Sequence, residues 1–229
     1  MQARDVMTAN VVAVSEETPV HEVVGLLLKY RVSAVPVVDQ AQNVLGIVSE
    51  GDLLRPEGQG GVEPRRPWWL EAMFGGETGT ARTRGRTAGS VMTRGVVSVD
   101  ENAPLNEIAA LLERHHIKRV PVLRDGRLAG IVSRANLLHG LAGTIVERHE
   151  PGAAQDRALR DALVKTLLAT PKLETVLVNV TVENGHVRLW GVVDNAGQAR
   201  VAEAAARALP GVTSVENNLG PGPVSGVPI

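Results

Sequence analysis

Residues 46–54 read GIVSEGDLL, and residues 130–138 read GIVSRANLL. A chain that writes one phrase twice, changing mainly the three letters after the serine, invites a search for a longer repeat. Extending outward, 6–54 aligns with 91–138 with one gap, after Gln40, and 20 of the 48 aligned columns are identical. VMT at 6–8 recurs at 91–93, and VPV at 35–37 recurs at 120–122. Each copy opens with a β-branched run, Val11–Val14 or Val96–Val99, which reads as a strand. A proline follows, Pro19 or Pro104, suited to the first turn of a helix. Then come apolar residues at helical spacing: Val20, Val23, Val24, Leu27 and Leu28, or Leu105, Ile108, Ala109, Leu111 and Leu112. Two short strands and a second helix, opening at EGDLL or RANLL, complete a β-α-β-β-α unit. A unit of this size buries too little apolar surface alone, so the two copies are expected to pack on each other.

The repeated phrase places a serine and a short polar residue three positions apart where a strand turns into a helix. Two readings compete. In the first, Ser49 and Asp52 form a capping box, with Ser133 doing the same and Asn136 a poorer partner; this needs no ligand. Gly46 and Gly130 then only let backbone approach closely. In the second, the helix N-terminus and the serine hydroxyl favour a phosphate, and a carboxylate one turn in accepts two hydrogen bonds, as a ribose diol requires.

Between the copies, 55–90 is rich in Gly and Pro and reads as a linker. Its centre, WWLEAMF at 68–74, is expected to form a short helix with Trp68, Trp69, Met73 and Phe74 on one face, for packing or for a partner. Beyond residue 150 the pattern changes. Residues 156–170 read as an amphipathic helix with Leu159, Leu163, Leu167 and Leu168 on one side. Asn184-Gly185 signals a hairpin. Asn195 caps a further helix, with Gln198 reaching back, and Pro210-Gly211 ends it before a last strand. The tail 221–229 is expected to be disordered.

The 6–54 and 91–138 units resemble CBS motifs, and the pair resembles a Bateman module over roughly 1–142 apart from the insert. The order α-β-β-α-β over 153–220, with Gly191, Gly211, Val215 and Asn217 in place, resembles a BON domain. The resemblance implies an α+β protein: a pseudo-twofold disc of two β-α-β-β-α repeats (motif 1 at 1–54, motif 2 at 91–145) plus a small BON domain. It implies homodimers through the discs. It also implies an adenine nucleotide as regulatory ligand, with no prosthetic group. Carried over, Ser49 and Asp52 match the ribose and phosphate pattern; Ser133 matches and Asn136 departs, so the second cleft should hold ribose more weakly. Lys118 and Arg119 match a basic pair that faces phosphates. Thr8 to Val12 and Thr93 to Val97 would line the adenine, and Val35-Pro36 and Val120-Pro121 would form apolar walls. BON domains are described as binding phospholipid or other hydrophobic surfaces, so a phospholipid or protein partner is implied there.

Composition sets outer bounds. The net charge is −1, which gives no global pull toward nucleic acid. There are no cysteines, so disulfides and thiolate zinc sites are excluded. No apolar run approaches a membrane span, and with no signal-peptide core the expected location is cytoplasmic. GIVSEG has two residues between Gly and Ser, where a nucleophile elbow needs one. The six histidines show no metal-ligand spacing. The chain is read as a regulatory sensor and not an enzyme. The alternative is a non-catalytic scaffold with empty clefts, acting through the BON-like part.

Overall fold

Each half of the fold holds a three-stranded sheet, and each sheet is met by the lead-in of the other copy. The computed structural model describes residues 1–54, 86–144, 153–171, 173 and 177–221. The Trp68–Phe74 segment and residues 222–229 lie outside them. In chain order the first copy gives α1 (Ala3–Val6), α2 (Val20–Tyr30), β1 (Ala34–Val38), β2 (Val44–Ser49) and α3 (Glu50–Leu54). The second gives α4 (Ala88–Val91), β3 (Thr93–Arg94), β4 (Val99–Asp100), α5 (Leu105–Arg114), β5 (Arg119–Arg124), β6 (Arg127–Ser133) and α6 (Arg134–Thr144). The C-terminal part gives α7 (Ala153–Ala169), β7 (Leu177–Glu183), β8 (His186–Val193), α8 (Ala196–Arg207) and β9 (Ser214–Pro221). Pro221, placed in the tail by sequence, is thus the last residue of a strand.

The chain separates into two units: residues 11–97 with 125–128, and residues 1–10, 98–124 and 129–229. The repeats and the units do not coincide, because the VMT lead-ins are exchanged. In the first unit β1 and β2 pair antiparallel, and β2 pairs with β3, so the lead-in of the second copy completes the sheet of the first. In the second unit the sheet order is β4-β5-β6. There Thr8, from the lead-in of the first copy, bridges Ile131 with reciprocal bonds of 2.9 and 3.0 Å. The two glycines of the repeated phrase permit this. A Cβ on Gly46 would lie 2.3 Å from Met92 Sδ, and one on Gly130 would lie 2.5 Å from Met7 Sδ.

The leading strands are shorter than the β-branched runs suggest. Val14 makes only a single parallel bridge, to Val37, through Val14 N–H to Pro36 O (3.0 Å) and Val38 N–H to Val14 O (2.8 Å). The next step toward Val12 would need an N–H from Pro36, which has none. Pro121 sets the same limit in the second copy, where β4 covers only Val99–Asp100 and pairs parallel with Val122 and Leu123.

The first core gathers Val20, Val23 and Leu27 of α2 against Val35, Val37 and Val48. The second gathers Ile108 and Leu112 of α5, Val120, Val122 and Val132, with Ala3, Val6 and Met7 from the exchanged lead-in. Not every residue on the expected apolar stripes is inside: Leu28 is 61% exposed and Leu168 42%.

In the C-terminal part β7 and β8 form an antiparallel hairpin and β9 adds parallel to β8. The hairpin turns at Asn184 (φ 50) and Gly185 (φ 76), as the dipeptide predicts. Asp156 accepts both turn amides, at 2.8 and 3.0 Å. Asn195 caps α8 through Gln198 N–H (3.1 Å), while the Gln198 side chain reaches back to Asp194 N–H (2.6 Å). Leu163, Leu167, Val180, Leu189 and Ala202 centre the core. Asn217 ties β9 to α8: its Nδ2 donates to Ala199 O at 3.0 Å and to Glu203 at 2.9 Å, and its Oδ1 accepts Leu219 N–H at 3.1 Å. Asn217→Ala should therefore lose about 1–3 kcal/mol in urea melts, since the Ala199 and Leu219 groups lose their partner. Hydrogen bonds from Asn217 and then Arg207 hold the Glu203 carboxyl below its ordinary 4.5. That contribution is present above pH 4.5 and fades as pH falls through the lowered value, so the deficit of the variant should narrow in acid.

Candidate functional site

Two corners result from the repeated phrase, one at the end of β2 and one at the end of β6. At the first, Ser49 N–H and Ser49 Oγ both donate to Asp52 Oδ2, at 2.9 and 2.5 Å, and Asp52 N–H points back to Ser49 Oγ at 3.4 Å. This is the capping box. A further donor comes from the exchanged lead-in: Thr93 Oγ1 reaches Asp52 Oδ1 at 2.9 Å. Asp52 is half-buried and Thr93 exposed, so the carboxylate sits at the surface between two hydroxyls. Glu50 N–H, the first of α3, donates to Ser33 O at 3.0 Å and holds the corner to the start of β1.

At the second corner the box is rebuilt with an amide. Ser133 N–H and Oγ donate to Asn136 Oδ1 at 2.9 and 2.6 Å, and Asn136 N–H returns to Ser133 Oγ at 3.3 Å. Asn136 is no poorer a partner here, because its carbonyl oxygen does what the Asp52 oxygen does. Its amide does what a carboxylate cannot: Nδ2 donates to Val6 O at 2.9 Å. Asn136 is 3% exposed and therefore belongs to the packing of α1 on α6. Asn136→Asp should set a carboxylate against the Val6 carbonyl. Its expected cost is about 1–3 kcal/mol of stability in a thermal melt at neutral pH, with no gain in ligand affinity.

The same side chain meets the C-terminal part. Asn136 Nδ2 lies 3.3 Å from Asn179 Oδ1, and the Thr8 hydroxyl donates to that oxygen as well. Thr8 thus belongs to the second corner and Thr93 to the first. Lys118 is exposed, and its carbonyl accepts the first amide of α6, Arg134 N–H, at 3.2 Å, while Arg119 opens β5 beside it. The expected walls divide. Val35 and Val120 are fully buried and serve the two cores. Strand alternation puts Pro36 and Pro121 on the opposite face of β1 and β5. Val12 is half-buried against the first core, and Val97 is half-buried in the run leading to β4. A separate apolar groove of about 420 Å³, lined by Val24, Leu27, Leu28, Arg31, Val32, Glu50 and Leu53, includes none of the expected ligand residues.

Sequence reasoning passed over a second set of polar residues. Arg160 of α7 is 3% exposed; its Nε donates to Val180 O at 3.0 Å and its Nη2 to Met7 O at 2.6 Å. Burial pulls its pKa below the ordinary value, and Asp161 and Asp5 partly offset that. Arg157 Nε pairs with Asp5 Oδ1 at 2.9 Å. Trp190 of β8 stacks on His139 of α6, with ring centroids 3.7 Å apart. One signal was available: Arg160 stands three and seven residues before Leu163 and Leu167, on the buried side of the helix.

The exchanged lead-ins, the two β-hairpins ending in Ser-x-x-Asp and Ser-x-x-Asn boxes, and the added α-β-β-α-β module define a tandem repeat fold with an appended domain. The chain belongs to the CBS domain proteins: CBS domain models match 3–56 and 88–143, and a BON domain model matches 155–220. It is 27% identical over 139 residues to hypoxic response protein 1 of Mycobacterium tuberculosis, covering 61% of this chain and 84% of that one. The crystal structure of the CBS-pair protein CBSX2 from Arabidopsis thaliana is similar at TM-score 0.53 and 27% identity, covering 64% of this chain and 98% of that one. CBSX2 has also been solved in complex with AMP; that structure covers 62% of this chain and 96% of its own, at TM-score 0.48 and 26% identity. Among the described residues no helix is long and apolar enough to cross a membrane.

Proposed function

We propose that this protein is a regulatory sensor whose first CBS motif binds an adenosyl nucleotide and whose BON domain relays or localises the signal. The observation that supports this most directly is Asp52, a surface carboxylate held between the Ser49 and Thr93 hydroxyls. Those hydroxyls turn freely about their C–O bonds. When a phosphate accepts their hydrogen bonds, the carboxylate oxygens they release accept the two hydroxyls of a ribose. Charged hydrogen bonds of this kind contribute about 1.5–3 kcal/mol each. A relay further requires that the ligand bind two states of the protein unequally. Association of two chains through the CBS motifs is part of the same proposal.

Calorimetry with AMP, ADP, ATP, NAD and S-adenosylmethionine on the full chain tests it, AMP being a convenient first probe. Asp52→Ala should weaken the bound nucleotide by about ten- to hundredfold, the equivalent of one charged hydrogen bond. Affinity unchanged in Asp52→Ala would remove the assignment of this corner. Failure of every nucleotide to bind would remove the sensor.

A further inference from the structure

The second CBS corner is covered by the BON domain, and all of the contacts that cover it fall within one of the two units of the chain. Asn179 of β7 puts its carboxamide oxygen where both the Thr8 hydroxyl and the Asn136 amide donate to it. An oxygen accepting from those two groups stands in the chemical position of a ligand oxygen. The placement is held from three further sides. Arg160 joins the Val180 carbonyl of β7 to the Met7 carbonyl, next to Thr8. Arg157 is paired with Asp5 of α1. Trp190 lies on His139, one turn beyond Asn136 on α6. The first corner differs: there the Thr93 hydroxyl, equivalent to Thr8, donates to Asp52 of its own unit.

We infer that the BON domain is the resident occupant of the second corner. The full chain then takes one nucleotide, in the first motif, and takes a second only when the BON domain leaves. Docking and second-site binding are mutually exclusive, so by linkage a nucleotide that enters the second corner must release the BON domain. This rests on the sensor reading above and adds to it the element that a ligand would move.

The test is calorimetric stoichiometry with AMP, read beside the emission of Trp190 in a Trp68→Phe/Trp69→Phe background. The intact protein should bind one AMP per chain with Trp190 emission unchanged. Asp5→Lys/His139→Glu, which sets a cation against Arg157 and removes the stacked ring, should shift Trp190 emission to the red and bring up a second site. Adding Asp52→Ala to that variant should weaken one of the two sites by about ten- to hundredfold and leave the other unchanged. Asn179→Arg decides the matter if the charge variant fails to fold or to undock, because a guanidinium there faces the Thr8 and Asn136 donors and opposes docking; it too should shift Trp190 emission to the red and bind a second AMP. A single site in a variant whose Trp190 emission shows it undocked overturns the inference, as does Trp190 emission unchanged in both variants or two sites in the intact protein with Trp190 undisturbed. AMP bound by no variant overturns the sensor reading, and the occlusion falls with it.

Discussion

Arg160→Leu is expected to destabilise the protein by about 2–6 kcal/mol in urea melts, from two carbonyls at about 1–3 kcal/mol each. The guanidinium is 3% exposed and is the donor for both Val180 O and Met7 O. Leucine fills a similar volume but leaves both oxygens without that donor in a site that excludes water. The favourable side of the exchange is that a buried cation is removed, and burial already works against its charge. The lost pairing outweighs this because among the described residues the nearest carboxylate paired with it is Asp161, at 3.8 Å, so the carbonyls and not an ion pair are what the cation serves. The unfolding transition should also broaden or split, since the bond to Met7 O is one of the links between α7 and the lead-in. Arg160→Lys should recover part of the loss, as one ammonium reaches one carbonyl well and two poorly. A change below about 0.5 kcal/mol, the size usual for surface substitutions, would show that the carbonyls find other partners.

The second large effect concerns the repeated glycines, which should respond alike in stability and differently in function. A methyl on Gly46 would meet Met92 Sδ at 2.3 Å and Thr93 O at 3.0 Å; one on Gly130 would meet Met7 Sδ at 2.5 Å and Thr8 O at 3.0 Å. The methionine tails can move, but the carbonyls belong to bridged backbone, so the lead-in must shift. Overpacking of this kind costs about 1–3 kcal/mol in either variant. Gly46→Ala moves Thr93 away from Asp52 and should weaken AMP. Gly130→Ala moves Met7 O away from Arg160 and should leave AMP at the first motif nearly unchanged. It should also couple to Arg160→Leu: the double variant should be less destabilised than the sum of the singles, because both remove the same bond. Strict additivity in a double-mutant cycle would show that the Met7 carbonyl does not carry the effect.

Much of the fold was legible because it is written as local pattern. The helical spacing in α2 and α5, the Asn184-Gly185 turn and the Asn195 cap depend on residues close in sequence, and each is found. The leading strands are shorter than their β-branched runs for a reason also present locally: Pro36 and Pro121 remove the amides that a longer ladder needs. The capping box was visible at both corners, yet its meaning was not. Asn136 looks like a weakened Asp52 until Val6 O, 130 residues away, shows that an amide is required. Val35 and Val120 suit a cleft wall or a core equally well by pattern, and only the packed cores show that they face inward.

By itself the sequence determined that there are two related corners, each a serine three residues before a polar partner, followed by a different module. Periodicity and capping act over a few residues, so they survive reading one segment at a time. The tertiary structure decided which residues surround each corner. VMT lead-ins are exchanged between copies, and Thr93 therefore joins Asp52 while Thr8 joins Asn136. Asn179 and Arg160 reach the second corner from the C-terminal module. Those neighbours are set by where strands pair and by which carbonyls are left buried in need of a donor, and such demands appear only when distant segments are brought together.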